Sequence, residues 1–189
     1  MAQASSGRQD ELVRRHRASV RAVAAALGLA SLLLLVAAVR WASSGTRTFA
    51  DLVDETLGRA APETSPDPTL QMSLWLGVAF LGFSSIYYRR AKFAPARLQA
   101  VAGLRGTSGL IHTLHTTTVR VALIGAAVAA LGFVSSLLTG LFGDMLRAWL
   151  IAAVVLAYAY PRLSAWRRVV ESTADAEPAA GPAAKGTPA

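Results

Sequence analysis

The sequence predicts an all-α integral membrane protein with four transmembrane helices arranged in two hairpins and with both termini in the cytoplasm. Charged residues make up 16% of the 189 residues, whereas water-soluble domains contain about 25%. The charges are also clustered, which leaves four long apolar stretches of the length that crosses a bilayer as a helix. The distribution of Lys and Arg between the connecting segments gives the orientation.

The N-terminal residues 1–19 are polar and basic and are interpreted as a cytoplasmic flank. The first transmembrane helix is predicted over residues 20–41. Arg21 and Arg40 bracket its apolar part, and their long side chains can reach the two membrane surfaces. This apolar part is longer than the roughly 7–15 residues of a signal peptide, so an uncleaved helix is expected.

Residues 42–69 form an acidic outer loop. Apolar residues within it recur with helical spacing, which predicts a surface helix at about 49–59 that lies flat on the membrane. Thr48 and Asp51 have the spacing of a capping box at its start. The acidic side chains of this helix are interpreted as a solvated face, with a cation site as the alternative: Asp51, Asp54 and Glu55.

The second transmembrane helix is predicted over residues 70–88, and a basic cytoplasmic connector follows over 89–120. Glycines weaken helix formation in the middle of the connector, so a short helix is expected on each side of Gly106. The connector contains no acidic residue and lies beside the membrane, which favours contact with anionic lipid headgroups. The residues expected to make that contact are Arg89, Arg90, Lys92, Arg97 and Arg105.

The third and fourth transmembrane helices are predicted over residues 121–142 and 145–161. Small residues spaced four apart indicate close helix packing in lipid: Ala122, Ala126, Ala130, Gly132, Ser136 and Gly140. Asp144 and Arg147 are three residues apart and are expected to pair at the outer surface. A basic helix end follows over 162–171, and the Ala/Pro/Gly-rich residues 172–189 are predicted to be a disordered tail.

The positive charges divide unequally between the two sides of this arrangement. Fifteen Lys and Arg residues lie in the N-terminal part through Arg21, the connector and the C-terminal part from Arg162, and four lie on the other side: Arg40, Arg47, Arg59 and Arg147. Because positive residues are retained in the cytoplasm, both termini are predicted to be cytoplasmic. The same distribution accounts for the net charge of +8 without a nucleic-acid partner.

His112 and His115 are the paired candidates for ligand binding. Three residues apart on a helix, they share a face that can bind a metal or, with a partner helix, a haem. The connector supplies no acidic ligand and the chain has no cysteine, so no cofactor is predicted. No predicted span has an ionisable residue near its centre, which counts against ion-coupled transport and catalysis in the membrane.

The favoured function is a non-catalytic accessory or scaffold subunit of a membrane assembly, not an enzyme. Its expected partners are membrane lipid and other membrane subunits or further copies of itself. One alternative is a pore or small-solute transporter, lined by span hydroxyls at Ser84, Ser85, Ser135, Ser136 and Thr139. The other is a haem- or metal-binding electron-transfer subunit that uses His112 and His115. The Ala/Arg-rich composition favours a bacterial inner membrane as its location.

Overall fold

A computed structural model describes residues 2–45, 48–59 and 67–174, and these residues form six helices. The helices are α1 (Ala2–Ser43), α2 (Phe49–Thr56), α3 (Pro68–Lys92), α4 (Pro95–Thr139), α5 (Phe142–Ala159) and α6 (Leu163–Ala174). Within the described ranges, α1, α3, α4 and α5 are long and apolar enough to cross a membrane. The prediction of an all-helical chain with four helices that could span a membrane is thus confirmed. Most of the predicted tail, from residue 175 onward, lies outside the described residues.

The basic connector contains almost no loop. Only Phe93 and Ala94 separate α3 from α4, which begins with Pro95 at a position where a missing backbone N–H costs nothing. The helical geometry of α4 is interrupted at Gly106, which has φ 64° and ψ −175°. Glycine adopts this left-handed conformation without strain from a side chain. Helix therefore lies on both sides of Gly106, and the second helix runs on into the apolar part of α4.

Proline also sets the end of α5. Residues 162–171 were predicted as the continuation of the fourth span, but the structure has a separate helix, α6. Tyr160 is extended, with φ −55° and ψ 121°, because the following Pro161 disfavours helical backbone at the residue before it. Trp166 of α6 then packs on Leu98, Leu110 and Leu114 of α4.

The helices are arranged around a central pair, α4 and α5, which have the most extensive contact in the described part of the chain. Both α1 and α3 pack on this pair, and neither packs extensively on the other. Of the two predicted hairpins, only α4–α5 is thus a packed pair. The core that the helices share contains small residues from three of them: Ala30 and Ala37 of α1, Ala129 of α4 and Ala152 of α5.

The two ends of the bundle differ in charge. The end formed by α2, the end of α1 and the α4–α5 turn contains the buried carboxylates of Glu55 and Asp144, and is called the acidic end. The opposite end, where α3 meets α4 and α5 meets α6, contains Arg89 and Arg162 and is called the basic end. The candidate functional residues lie at these two ends.

Candidate functional site

Glu55 on α2 binds the first backbone groups of α5 at the acidic end. Its side chain is 2% exposed. One carboxylate oxygen accepts hydrogen bonds from the backbone N–H groups of Phe142 at 2.9 Å and Gly143 at 3.3 Å, and the other accepts one from Trp41 Nε1 at 3.1 Å. The residue before α5, Leu141, supplies no side-chain cap. Glu55 therefore caps α5 from another helix, where the positive end of the helix dipole favours a carboxylate.

Gly143 permits this cap because α2 passes directly over it. A Cβ atom at residue 143 would lie 2.5 Å from the carbonyl carbon of Glu55 and 2.8 Å from the nitrogen of Thr56. Arg147 of α5 also donates from Nη2 to the carbonyl oxygen of Glu55 at 2.6 Å. The backbone and the side chain of Glu55 are thus both held by α5, so α2 packs against the bundle.

Asp144 forms a second buried polar centre at the turn between α4 and α5. Its side chain accepts hydrogen bonds from Ser135 Oγ at 2.8 Å and Thr139 Oγ1 at 3.1 Å, and it lies 3.4 Å from Arg147. The predicted Asp144–Arg147 pair is present, but Asp144 is 1% exposed and does not lie on the surface. Gly140, with φ 74°, makes the turn that brings Asp144 back to the hydroxyls of α4.

The acidic residues of α2 have separate structural partners. Asp51 closes the predicted capping box with Thr48, and Asp54 lies 3.9 Å from Arg59 at the surface. The interpretation of Glu55 as part of a solvated face is wrong, since its carboxylate turns inward to α5. Among the described residues, no three His, Cys, Asp or Glu side chains are grouped so as to hold a metal ion.

The histidines at the basic end join different helices. His115 Nδ1 lies 2.9 Å from Ser19 Oγ of α1, and Ser19 is fully buried. His16 Nε2 lies 3.0 Å from the carbonyl oxygen of Pro161, and its ring meets Trp166 edge-on with 5.5 Å between centroids. His112 is exposed. Of the predicted pair, His112 therefore lies at the surface, whereas His115 takes part in the contact between α1 and α4.

The electrostatics around His115 favour its neutral form. His115 lies in the connector, before the predicted third span at residues 121–142. Burial, then the positive charges of Arg15 and His112, lower the pKa of the His115 imidazole, while a hydrogen bond to the backbone of Arg15 opposes that shift. Neutral imidazole suits a hydrogen-bonded link between α1 and α4, because a charge there would have to be desolvated.

A cleft of about 390 Å³ opens at the basic end between α3, α4, α5 and α6. The Arg89 guanidinium lies 4.4 Å from the centre of the Tyr158 ring and 5.4 Å from that of Phe93. Arg162 and Trp166 line the same cleft. Of the five residues predicted to contact lipid headgroups, Arg89 alone lines this cleft. Lys92 lies over the Tyr88 ring at 5.6 Å, and the remaining three are exposed: Arg90, Arg97 and Arg105.

The small residues predicted to pack helices lie mostly inside the bundle. Ala122 packs with Val23, Ala26 and Leu156, and the half-buried Ala126 borders this cluster. A Cβ atom at Gly132 would overlap the Cβ of Ala148, so Gly132 sets the closest approach of α4 and α5. Ser136 is buried and Gly140 ends α4. Ala130 is exposed, and its prediction as a packing residue is wrong for contacts within the chain.

Most of the hydroxyl groups named as candidate pore lining bond within the bundle. Ser85 donates to the carbonyl oxygen of Gly82 at 2.7 Å, and Ser135 and Thr139 bond Asp144. These hydrogen bonds satisfy polar groups that would find no hydrogen-bond partner among lipid chains.

Sequence reasoning missed the structural role of Glu55, the Ser19–His115 contact and the participation of Tyr158 and Arg162 in the cleft. Each depends on a partner far along the chain, and for Glu55 and the Ser19–His115 contact no local pattern identifies it. The adjacent aromatic and basic residues at 158–162 were the available signal for the cleft.

Comparisons of the chain with models of known protein families, with curated proteins and with solved structures find no match.

Proposed function

We propose that the protein is a non-catalytic accessory or scaffold subunit of a membrane assembly, and that α3 binds the partner. The observation that carries this proposal is a line of large apolar side chains on the outward face of α3. They are spaced four, four, three and four residues apart, and each is between 59% and 76% exposed. This line is called the α3 ridge and consists of Met72, Leu76, Phe80, Phe83 and Tyr87.

The spacing of the α3 ridge suits a second helix. From Leu76 to Tyr87 the intervals are four, three and four residues. Side chains at such alternating intervals form one continuous seam along a helix, which is the pattern that packs into the grooves of a partner helix. The opposite face of α3 carries Val78, Gly82 and Ser85, which are buried in the bundle. The face of α3 that packs on the bundle thus includes small residues, and the ridge lies on the other face.

The small-residue faces support self-association less than their pattern predicted. Gly132 lies against Ala148, and Ala122 lies against α1 and α5, so these faces are already occupied within one chain. The α3 ridge remains as an extended apolar surface. Aromatic residues and Met are enriched at protein interfaces, and four of the five ridge residues are of these types: Met72, Phe80, Phe83 and Tyr87.

The non-catalytic part of the proposal rests on where the ionisable side chains go. Glu55 caps α5, Asp144 bonds two hydroxyls and Arg147, and His16 and His115 link helices. A catalytic acid, base or nucleophile must be able to reach a substrate. These groups instead hold neighbouring helices together.

We also propose that both termini lie in the cytoplasm of a bacterium and that the acidic end faces outward. The bias of fifteen positive residues against four supports this orientation. The chain has no native cysteine, so single cysteines can report it. Ser44→Cys at the acidic end should react with a membrane-impermeant maleimide in intact cells, and Ser172→Cys should react only after permeabilisation. The reverse pattern would contradict the orientation.

Gentle extraction of the tagged full chain into nanodiscs, followed by mass spectrometry, tests the accessory role. A stoichiometric membrane partner is expected with the wild-type chain and should be lost from the Met72→Ala/Phe80→Ala variant. Leu123→Ala, which alters an exposed apolar residue of α4, is the matched control and should retain the partner. Recovery of the wild-type chain alone would argue against an accessory subunit.

A further inference from the structure

An apolar groove of about 370 Å³ runs along the seam between α3 and α5. Gly82 and Ile86 of α3 and Leu150 and Val154 of α5 line it, and its surface is almost wholly apolar. Gly82 contributes no side chain, and Ile151 Cγ2 lies 3.5 Å from the position of a Cβ atom there. The groove therefore lies within the apolar parts of two candidate membrane helices, where its occupant must be apolar.

The cleft at the basic end continues the same seam. Arg89 follows Ile86 by three residues on α3, and Tyr158 follows Val154 by four on α5, so each pair shares a helix face one turn apart. The groove is apolar along its length, and the cleft at its end contains Arg89 and Arg162. Both volumes fall in the range of about 300–1,000 Å³ that is typical of ligand sites.

The arginines of the cleft have no carboxylate partner among the described residues. In the part of the chain that the structure describes, no ion pair within 4.0 Å joins Arg89 or Arg162 to a carboxylate. Arg89 is half-buried and is positioned by the Tyr158 and Phe93 rings. A desolvated cation is stabilised by an anion, and the planar guanidinium matches the geometry of phosphate.

We propose that this seam binds one anionic glycerophospholipid, with an acyl chain in the groove and the phosphate at Arg89 and Arg162. An apolar groove that leads to a cationic, aromatic-lined cleft matches an amphiphile whose charge and apolar part are covalently joined. Trp166 and Tyr158 suit the depth of a lipid headgroup because each ring has an apolar body and a polar edge. The site does not depend on the α3 ridge as a partner surface, although Phe83 borders both.

The proposal separates Arg89 from the other basic residues of the connector. Arg90 and Arg105 have the same charge and are exposed outside the cleft. If the attraction to lipid were only the summed charge of the connector, these residues would matter as much as Arg89 and Arg162. Arg90→Gln/Arg105→Gln is therefore a matched control for Arg89→Gln/Arg162→Gln.

Native mass spectrometry of the purified full chain, delipidated and then mixed with equal amounts of phosphatidylglycerol and phosphatidylcholine, tests the site. The wild-type chain should retain one phosphatidylglycerol in preference to phosphatidylcholine. Arg89→Gln/Arg162→Gln should weaken that retention about tenfold, the effect of losing one charge-assisted hydrogen bond. The control pair should leave it unchanged.

A second variant tests the groove without altering charge. Val154→Trp adds a large side chain at an exposed, groove-lining position and leaves both arginines in place. It should also lower phosphatidylglycerol retention.

Three results would overturn the proposal. One is the absence of any preference for phosphatidylglycerol in the wild-type chain. Another is an equal loss in the two double variants, which would indicate diffuse attraction. The third is that inorganic phosphate displaces the lipid and that Val154→Trp has no effect, which would indicate a free-phosphate site. None of these results affects the partner test at Phe80, which does not line the groove.

Discussion

The central helix pair and α3 are both apolar, but they use side-chain size in opposite ways. Between α4 and α5, Gly132 lies against Ala148, and Gly125 lies so close that a Cβ atom there would be 2.9 Å from Leu156 Cδ2. On α3, the large residues of the ridge face away from the bundle, and Gly82 lies toward it. Glycine thus permits close approach of the backbones within the α4–α5 contact, whereas the large residues of the α3 ridge lie on the outside.

This difference follows from the solvent. In water, an outward row of Phe and Leu would be costly because apolar surface is driven from water. In a bilayer the lipid chains are as apolar as those side chains, so helix association depends on van der Waals packing and interhelical hydrogen bonds. Hydropathy can therefore identify the spans but not the inward face of each span. Side-chain volume and buried polar groups are the more informative signals.

The largest expected loss of stability comes from Gly132→Ala in the central pair. The added methyl group would overlap Ala148, so α4 and α5 would have to separate. Overpacking of this kind costs about 1–3 kcal/mol. Thermal unfolding in detergent measures it. Gly28→Ala is the control, because nothing lies within 4 Å of a Cβ atom there. Equal effects of the two substitutions would contradict the close packing of α4 on α5.

A smaller loss is expected from Glu55→Gln at the acidic end. The variant keeps the shape of the side chain but removes the charge that faces the start of α5. Glu55 accepts hydrogen bonds at both oxygens, whereas Gln has one accepting oxygen. Loss of the charge–dipole interaction and of at least one hydrogen bond should cost about 1–2 kcal/mol. Denaturant unfolding followed by tryptophan fluorescence measures the change, since Trp41 donates to this carboxylate.

Asp54→Asn is the control for Glu55→Gln, because it makes the same type of change on the same helix at a largely exposed side chain. It should change the free energy of unfolding by less than about 0.5 kcal/mol. A comparable loss in both variants would show that α2 is held by its net charge and not by the cap at Phe142 and Gly143.

The sequence predicted features that depend on residues close together in the chain. These include four candidate spans, the capping box of Thr48 and Asp51, the Asp144–Arg147 pair and a helix on each side of Gly106. The cap of α5 by Glu55 was not predictable in this way. The cap joins Glu55 to residues that follow it by 87 and 88 positions in the chain. The local sequence does not distinguish Glu55 from its exposed acidic neighbours on α2.

The exposure of Ala130 within the single chain has a simple geometric cause. A helix turns about 100° per residue, so positions four apart drift by about 40° at each step. Ala122 is buried, Ala126 is half-buried and Ala130 is exposed, which follows that drift. Gly125 and Gly132 are seven apart, drift by only about 20°, and both lie against α5. A spacing of seven is thus the better guide to the packed face of this long helix.

The smallest expected effect on stability is at the α3 ridge. Phe80→Ala removes a side chain that is 72% exposed and should change the free energy of unfolding by less than about 0.5 kcal/mol. Its effect should appear in partner binding. A stability loss as large as that of Gly132→Ala would show that Phe80 supports the fold and would remove the distinction between α3 and the central pair.

The most direct test of the accessory role is photocrosslinking in the native membrane. A photoreactive amino acid replaces Phe80 on the α3 ridge, and in a parallel strain it replaces Leu123, an equally apolar, outward-facing residue of α4. A discrete adduct with another membrane protein is expected from position 80 and not from position 123. If both positions yield no protein adduct, or the same adducts, α3 is an ordinary lipid-facing surface and the proposed function is wrong.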